Sequence, residues 1–216
     1  MFTNSKRSIP SILISLLLLA SLLSAASFVT PVDAKAKMDA PTLHDAMRKL
    51  WEDHITWTRL AIVSLANDLP DTSSTVDRLL QNQVDIGNAI KPFYGDAAGD
   101  QLTALLRDHI LIAAEIIQDA KAGDTAAMND AIARWYANAD DIAVFLHNAN
   151  PDNWSLEDMK MMMHEHLDLT LQEAVAYLHG DYPASVTAYE QVHIEILSMA
   201  DMLSDGIVRQ FPKTFK

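Results

Sequence analysis

Not one of the 216 residues is a cysteine. Disulfides, thiolate nucleophiles, iron–sulfur clusters and cysteine-type zinc sites are thereby excluded. Glycine is scarce too, at six. None is grouped into a phosphate-cradling loop or a nucleophile elbow, so nucleotide-dependent transferase or kinase machinery has no support. Bases are few: 16 Lys and Arg stand against 29 Asp and Glu, a formal charge of −13. That balance argues against nucleic acid and against an anionic membrane surface as partners, and it favours solubility and cations. The alternating pattern of a β-strand is also missing.

What is there begins with an export signal. Lys6 and Arg7 precede a nearly uncharged stretch from Ser8 to Thr30, and Val32-Asp33-Ala34 places small residues at a cleavage site before Lys35. Residues 1–34 are therefore read as a signal peptide and 35–216 as one secreted, extracytoplasmic domain. The apolar stretch is also long enough for an uncleaved anchor. With no cysteine after it, a lipoprotein anchor is excluded.

Beyond Lys35 apolar residues recur at three and four, which predicts six helices at about 42–67, 73–92, 98–122, 125–148, 155–179 and 183–209. Leu69-Pro70-Asp71-Thr72, Pro92 with Gly95, Gly123-Asp124, Asn150-Pro151-Asp152, Gly180 and Pro212 punctuate them, and Ser155 to Asp158 form a capping box. Short connections make consecutive helices pack antiparallel. The expected fold is all-α: a six-helix bundle of three antiparallel hairpin repeats.

The repeat rests on three acid–histidine steps, Asp53-His54, Asp108-His109 and Glu165-His166, whose histidines lie 55 and 57 residues apart. The second helix of each pair carries Asn82 to Ile86, then Asn138 to Ile142, then, more loosely, Glu190 to Ile194. Side chains three or four apart share a helix face. His54 falls within Met47, Leu50, Trp51, Thr58, Ala61; His109 within Leu102, Leu105, Leu106, Ile112, Ile116; His166 within Met162, Met163, Leu169, Thr170, Glu173. On helix six His193 follows Tyr189 and precedes Ile196. Four imidazoles thus aim inward with Thr58, Thr170 and Glu173, and Gln83 and Asn138 are candidates to join them. The preceding acids are turned about 100° away.

A buried imidazole needs hydrogen-bond partners. In one reading His54, His109 and His166 form a structural polar layer, bonded to Asp85, Asp141, Asn82 or Asn138 of neighbouring helices. In the other, His54, His109, His166 and His193, with Glu173 or Glu190, hold a transition metal such as Zn, Cu or Fe. Glu190-x-x-His193 has the di-iron spacing, but only one such step is present. The cluster Met159, Met161, Met162, Met163, His164 evokes copper, although Met equally fills cores. His147 and His179 suit helix C-termini, and His164 a surface. Trp51, Trp57, Trp135, Tyr136, Trp154 and Tyr189 read as core and flank.

The strings Leu50 to Arg59, Ile90 to Gly95, Arg134 to Asp140 and Glu165 to Thr170 resemble a family of uncharacterised exported all-helical proteins of Gram-positive spore-forming bacteria. The resemblance spans about the whole mature chain and implies an extracytoplasmic helical protein without an established activity. Some relatives carry labels such as glycosyltransferase or acetylglutamate kinase, which would need an α/β nucleotide-binding scaffold. The expected role is non-catalytic binding, scaffolding or envelope sensing, with a small ligand or a protein as partner. The alternatives are a transition-metal protein and an enzyme using imidazoles as acid–base groups.

Overall fold

A computed structural model describes residues 39–215. The leader and its cleavage site lie outside the described residues. Six helices account for almost all of the described chain: α1 (Ala40–Ala66), α2 (Thr72–Tyr94), α3 (Asp96–Ala122), α4 (Thr125–Ala149), α5 (Leu156–Leu178) and α6 (Tyr182–Gln210). None of the described helices is long and apolar enough to cross a membrane.

Local chemistry sets the ends. The Asp39 side chain accepts from Thr42 N (2.8 Å), Asp124 from Ala127 N (3.0 Å), Ser155 from Asp158 N (3.1 Å) and Asp181 from Ala184 N (3.1 Å). Each satisfies a donor that the first turn leaves free. Gly123 takes φ 72° just past α3, the left-handed turn that a side chain would oppose. Pro92 does not close α2 as expected; the helix runs on to Tyr94, and Gly95 at φ 85° ends it. In its last turn a helix loses little by one missing donor.

Each helix packs on its neighbours in sequence, and α6 returns to α1, closing a ring; α1 also touches α3 and α5. The packing does not single out three separate hairpins, because α2 rests on α3 as fully as α3 does on α4. That contact is close. A Cβ on Gly87 would stand 2.5 Å from the carbonyl oxygen of Gly99, and one on Gly99 would stand 2.5 Å from that of Gly87.

The main core gathers Trp51, Trp135, Trp154, Met159, Leu167, Ile196 and Leu203. Two smaller clusters, around Ile62 with Ile117 and around Ala61 with Ile110, lie apart from it. Trp154, in the α4–α5 connection, is buried against α6, where its Nε1 donates to Met202 O (3.3 Å). Gly206 makes room for it, since a Cβ there would lie 2.1 Å from that Nε1. We expect Gly206→Ala to cost about 1–3 kcal/mol through overpacking, with no change in helix content at low temperature. A urea titration checks it, and an unchanged midpoint would show that the indole can move aside.

Candidate functional site

His54, His109 and His166 are buried, at 3%, 3% and 4% exposure. They come from the middles of α1, α3 and α5, where the apolar stripe of each helix faces inward. The preceding acids are turned aside from the trio: half-buried Asp53 pairs with Lys49 on its own helix (2.5 Å), and Asp108 and Glu165 are exposed. The rings of His54 and His166 are 5.7 Å apart. Trp51 meets His54 edge-on at 5.7 Å, and Trp135 lies 5.1 Å from His109.

One hydrogen-bond rule repeats. His54 Nδ1 meets Gln83 Nε2 (3.3 Å), His109 Nδ1 meets Asn138 Oδ1 (2.8 Å), and His166 Nδ1 meets Glu195 Oε2 (3.0 Å). In all three cases the partner stands 29 residues downstream, on the next helix. Asn138 Nδ2 donates to Leu105 O (3.1 Å), which turns Oδ1 toward the ring. His109 therefore donates from Nδ1 and keeps a lone pair on Nε2. His166 likewise donates from Nδ1 to the carboxylate. Gln83 Nε2 also donates to Leu79 O (2.8 Å), so His54 Nδ1 accepts and its proton sits on Nε2.

Burial holds His54 and His109 neutral. It pushes His109 down to about 3, helped by His166 and opposed by the Asn138 bond. It pushes His54 well below the usual imidazole range, helped by His166 and then His109, against a bond to Asn82.

The remaining expected site residues divide. Asn82 is fully buried and donates from Nδ2 to Leu50 O (3.0 Å), bracing α2 on α1. Asp85 does not reach the centre but bonds Gln81 (3.1 Å) on its own helix, and Asp141 is exposed. The partner of His54 is thus Gln83, with Asp85 a half-turn away. His193 is corrected as well: it lies 3.2 Å from Glu52 at the α1–α6 surface, with 34% of its side chain exposed. Glu195, two residues and so about 200° further round α6, takes the inward place. Glu190 is exposed. Glu173 is buried, but its Oε1 accepts from Arg59 (2.9 Å). Burial raises its pKa, and the Arg59 bond and charge oppose that.

The expected ligand set is therefore not assembled. Among the described residues no three His, Asp or Glu side chains are grouped to hold a metal ion. Met159, Met162 and Met163 are core residues, whereas Met161 is 59% exposed. His147 Nδ1 donates to Trp154 O (2.8 Å) and braces the α4–α5 connection, and His164 bonds Asp140 (3.0 Å) near the surface.

Sequence reasoning missed Glu195, Arg59 and the two indoles. A period of 29 from each histidine would have found Glu195, because Asn138 already stood in that register.

Several buried polar atoms beside the trio have no hydrogen-bond partner: Trp51 Nε1, Gln83 Oε1, Trp135 Nε1, Thr170 Oγ1 and Glu195 Oε1. Unpaired buried groups are uncommon and costly, about 1–3 kcal/mol each. On the C-terminal side of the layer lies an apolar cavity of about 40 Å³. Thr58, Ala113 and Thr170, each four residues and so one turn beyond a histidine of the trio, line it with Trp135. On the other side a small apolar void of about 20 Å³ is bounded by Trp51, Leu102 and Met163. The imidazoles thus form a polar layer between two apolar spaces. No protein family, curated protein or solved structure matches the chain.

Proposed function

We propose that the protein is an exported, non-catalytic binding or sensing bundle whose buried histidine layer is the binding element. One observation carries this reading: of the nine buried side-chain polar atoms without a hydrogen-bond partner among the described residues, five, on Trp51, Gln83, Trp135, Thr170 and Glu195, belong to residues around the trio. A layer built only to dock helices would close its own hydrogen bonds. The layer of imidazoles and glutamate lacks an activated nucleophile, which is why catalysis is not assigned.

Binding of a transition metal is a second reading, supported by the Nδ1–H bonds of His109 and His166 to a side-chain carbonyl and a carboxylate. Metal-ligating imidazoles are oriented in this way. Native mass spectrometry of the protein recovered from its own envelope, with elemental analysis, separates the readings. A noncovalent organic adduct supports the first, and equimolar Zn, Cu or Fe supports the second. A bare chain sinks both and leaves the layer a structural one. The same spectra test export: the expected mature chain begins at Lys35, and a retained leader would overturn cleavage after Ala34.

A further inference from the structure

We propose that the cavity beyond the histidine layer is a binding chamber for a small apolar molecule, a short hydrocarbon of about three carbon atoms. It uses none of the layer's polar groups, so it goes beyond the binding reading above and does not rest on it.

The same step in side-chain size shapes the chamber on three helices. One turn past His54, His109 and His166 stand Thr58, Ala113 and Thr170, and all three line the cavity. One turn before the same histidines stand Leu50, Leu105 and Met162. Small side chains thus follow the layer on α1, α3 and α5 at the places where large ones precede it. Ala61 and Ala174, a further turn along α1 and α5, keep the space open. The helices α2 and α4 complete the walls through Val76 and Trp135, and no lining residue is exposed. Interiors close-pack as a rule, so a gap that recurs at equivalent positions of three helices is a built feature of the fold.

What the walls lack decides the chemistry. The surface turned to the cavity is apolar, and no Lys, Arg, His, Asp or Glu lines it. Thr58 turns its hydroxyl back to His54 O (2.8 Å). A buried water needs about two to four polar partners, and this surface offers none, so water has no hold there. An apolar molecule would restore the dispersion contacts that an empty gap forfeits. A hydroxyl or a charge would give up its hydration for nothing. Size sets the rest. The cavity, at about 40 Å³, has room for roughly three waters on the scale of 10–15 Å³ per water, and so for a hydrocarbon of about three carbons.

Methyl NMR of the purified protein tests this, read at Ala61, Ile117 and Ala174 under xenon, propane and ethanol. Propane and ethanol match in size and differ in the hydroxyl. Xenon and propane should give saturable shifts confined to the methyls of the chamber. Ethanol should bind about tenfold more weakly or not at all, the cost of burying a hydroxyl without a partner. Ala113→Leu fills the space, and propane affinity should fall about tenfold or more. Ala174→Val takes its place if that variant does not keep its helix content, and the wild-type comparison of propane with ethanol decides if neither folds. No saturable propane shift overturns the proposal, as do shifts spread over surface methyls, ethanol affinity equal to that of propane, or undiminished propane binding in a folded, filled variant. Xenon binding without propane overturns the ligand size. None of these outcomes touches the histidine layer, whose reading stands or falls by the native spectra.

Discussion

Between pH 6.5 and 4.5 the protein should lose stability steeply, before most carboxylates begin to titrate. The cause is His109 with His54. In the unfolded chain an imidazole takes a proton near 6.5, whereas buried in the layer His109 holds out to about 3. A depressed histidine pKa means that the unfolded state binds the proton first, so stability is full above 6.5 and drains as pH falls toward the folded value. At pH 4 His109 alone would take away about 3 kcal/mol, at 1.36 kcal/mol per unit. His54 is shifted in the same direction and adds to this. Against a total of about 5–15 kcal/mol for a domain, that is a large share.

Glu173 works the other way. Its raised pKa means that the folded state takes a proton before the unfolded one, so it lends relative stability as pH falls through its folded value. It is one group against two, and the net slope stays with the histidines. Urea titrations at pH 7.5, 6, 5 and 4.5 read the effect, with a midpoint expected to fall throughout. His109→Gln should flatten the slope by about one proton, 1.36 kcal/mol per pH unit, whatever it costs at neutral pH. A wild-type midpoint flat from 7.5 to 4.5 would mean that the imidazoles reach water in the folded state.

That the trio is buried was legible from spacing alone. His54, His109 and His166 each sit in an apolar stripe with period 3.6, and such a stripe faces a core whatever the neighbours are. The partners were not legible in the same way. Periodicity on one helix says nothing of which residue on the next stands opposite. Helix α6 also misleads, because its apolar residues run nearly all round: Ile194 is 70% exposed while Ile196 is fully buried. A stripe through Tyr189 and His193 therefore looked as good as the true one through Ala188, Val192, Ile196 and Met199. One step of register moved His193 out and brought Glu195 in. Asp85 and Asp141 were chosen for charge in a repeated string, but they lie beside the inward position, where solvation is cheaper than burial. The cavity could not be read at all, since alanines on a core face mark close approach as readily as a gap.

Arg59→Ala should be the most damaging exposed-looking substitution in the chain. Arg59 Nη1 donates to Glu173 Oε1 (2.9 Å) and to Ser185 Oγ (2.5 Å), and Ser185 Oγ donates to Glu173 O (3.0 Å). Its guanidinium lies over the rings of Tyr177 (5.4 Å) and Tyr189 (5.8 Å). One cation thus ties α1, α5 and α6 together on the side of the cavity. Glu173 is 1% exposed, so removing its partner leaves a charge with neither water nor counter-ion. Breaking a buried pair from one side costs about 3–5 kcal/mol. The surface pair Lys49–Asp53, with 72% of the lysine side chain exposed, should by contrast yield less than about 1 kcal/mol to Lys49→Ala.

The pH dependence identifies the mechanism. Without Arg59 the carboxyl escapes its cost by taking a proton, so its folded pKa rises further and the defect of Arg59→Ala must shrink as pH falls and grow as it rises. Urea midpoints at pH 5 and 7.5 should show a clearly larger loss at 7.5. The double variant Arg59→Met, Glu173→Leu should recover most of it, because two apolar side chains of similar volume replace a pair whose attraction barely covers its desolvation. A loss equal at both pH values and unrelieved in the double variant would assign the damage to the tyrosine stacking and the stem of the arginine, and Glu173 would then have found water.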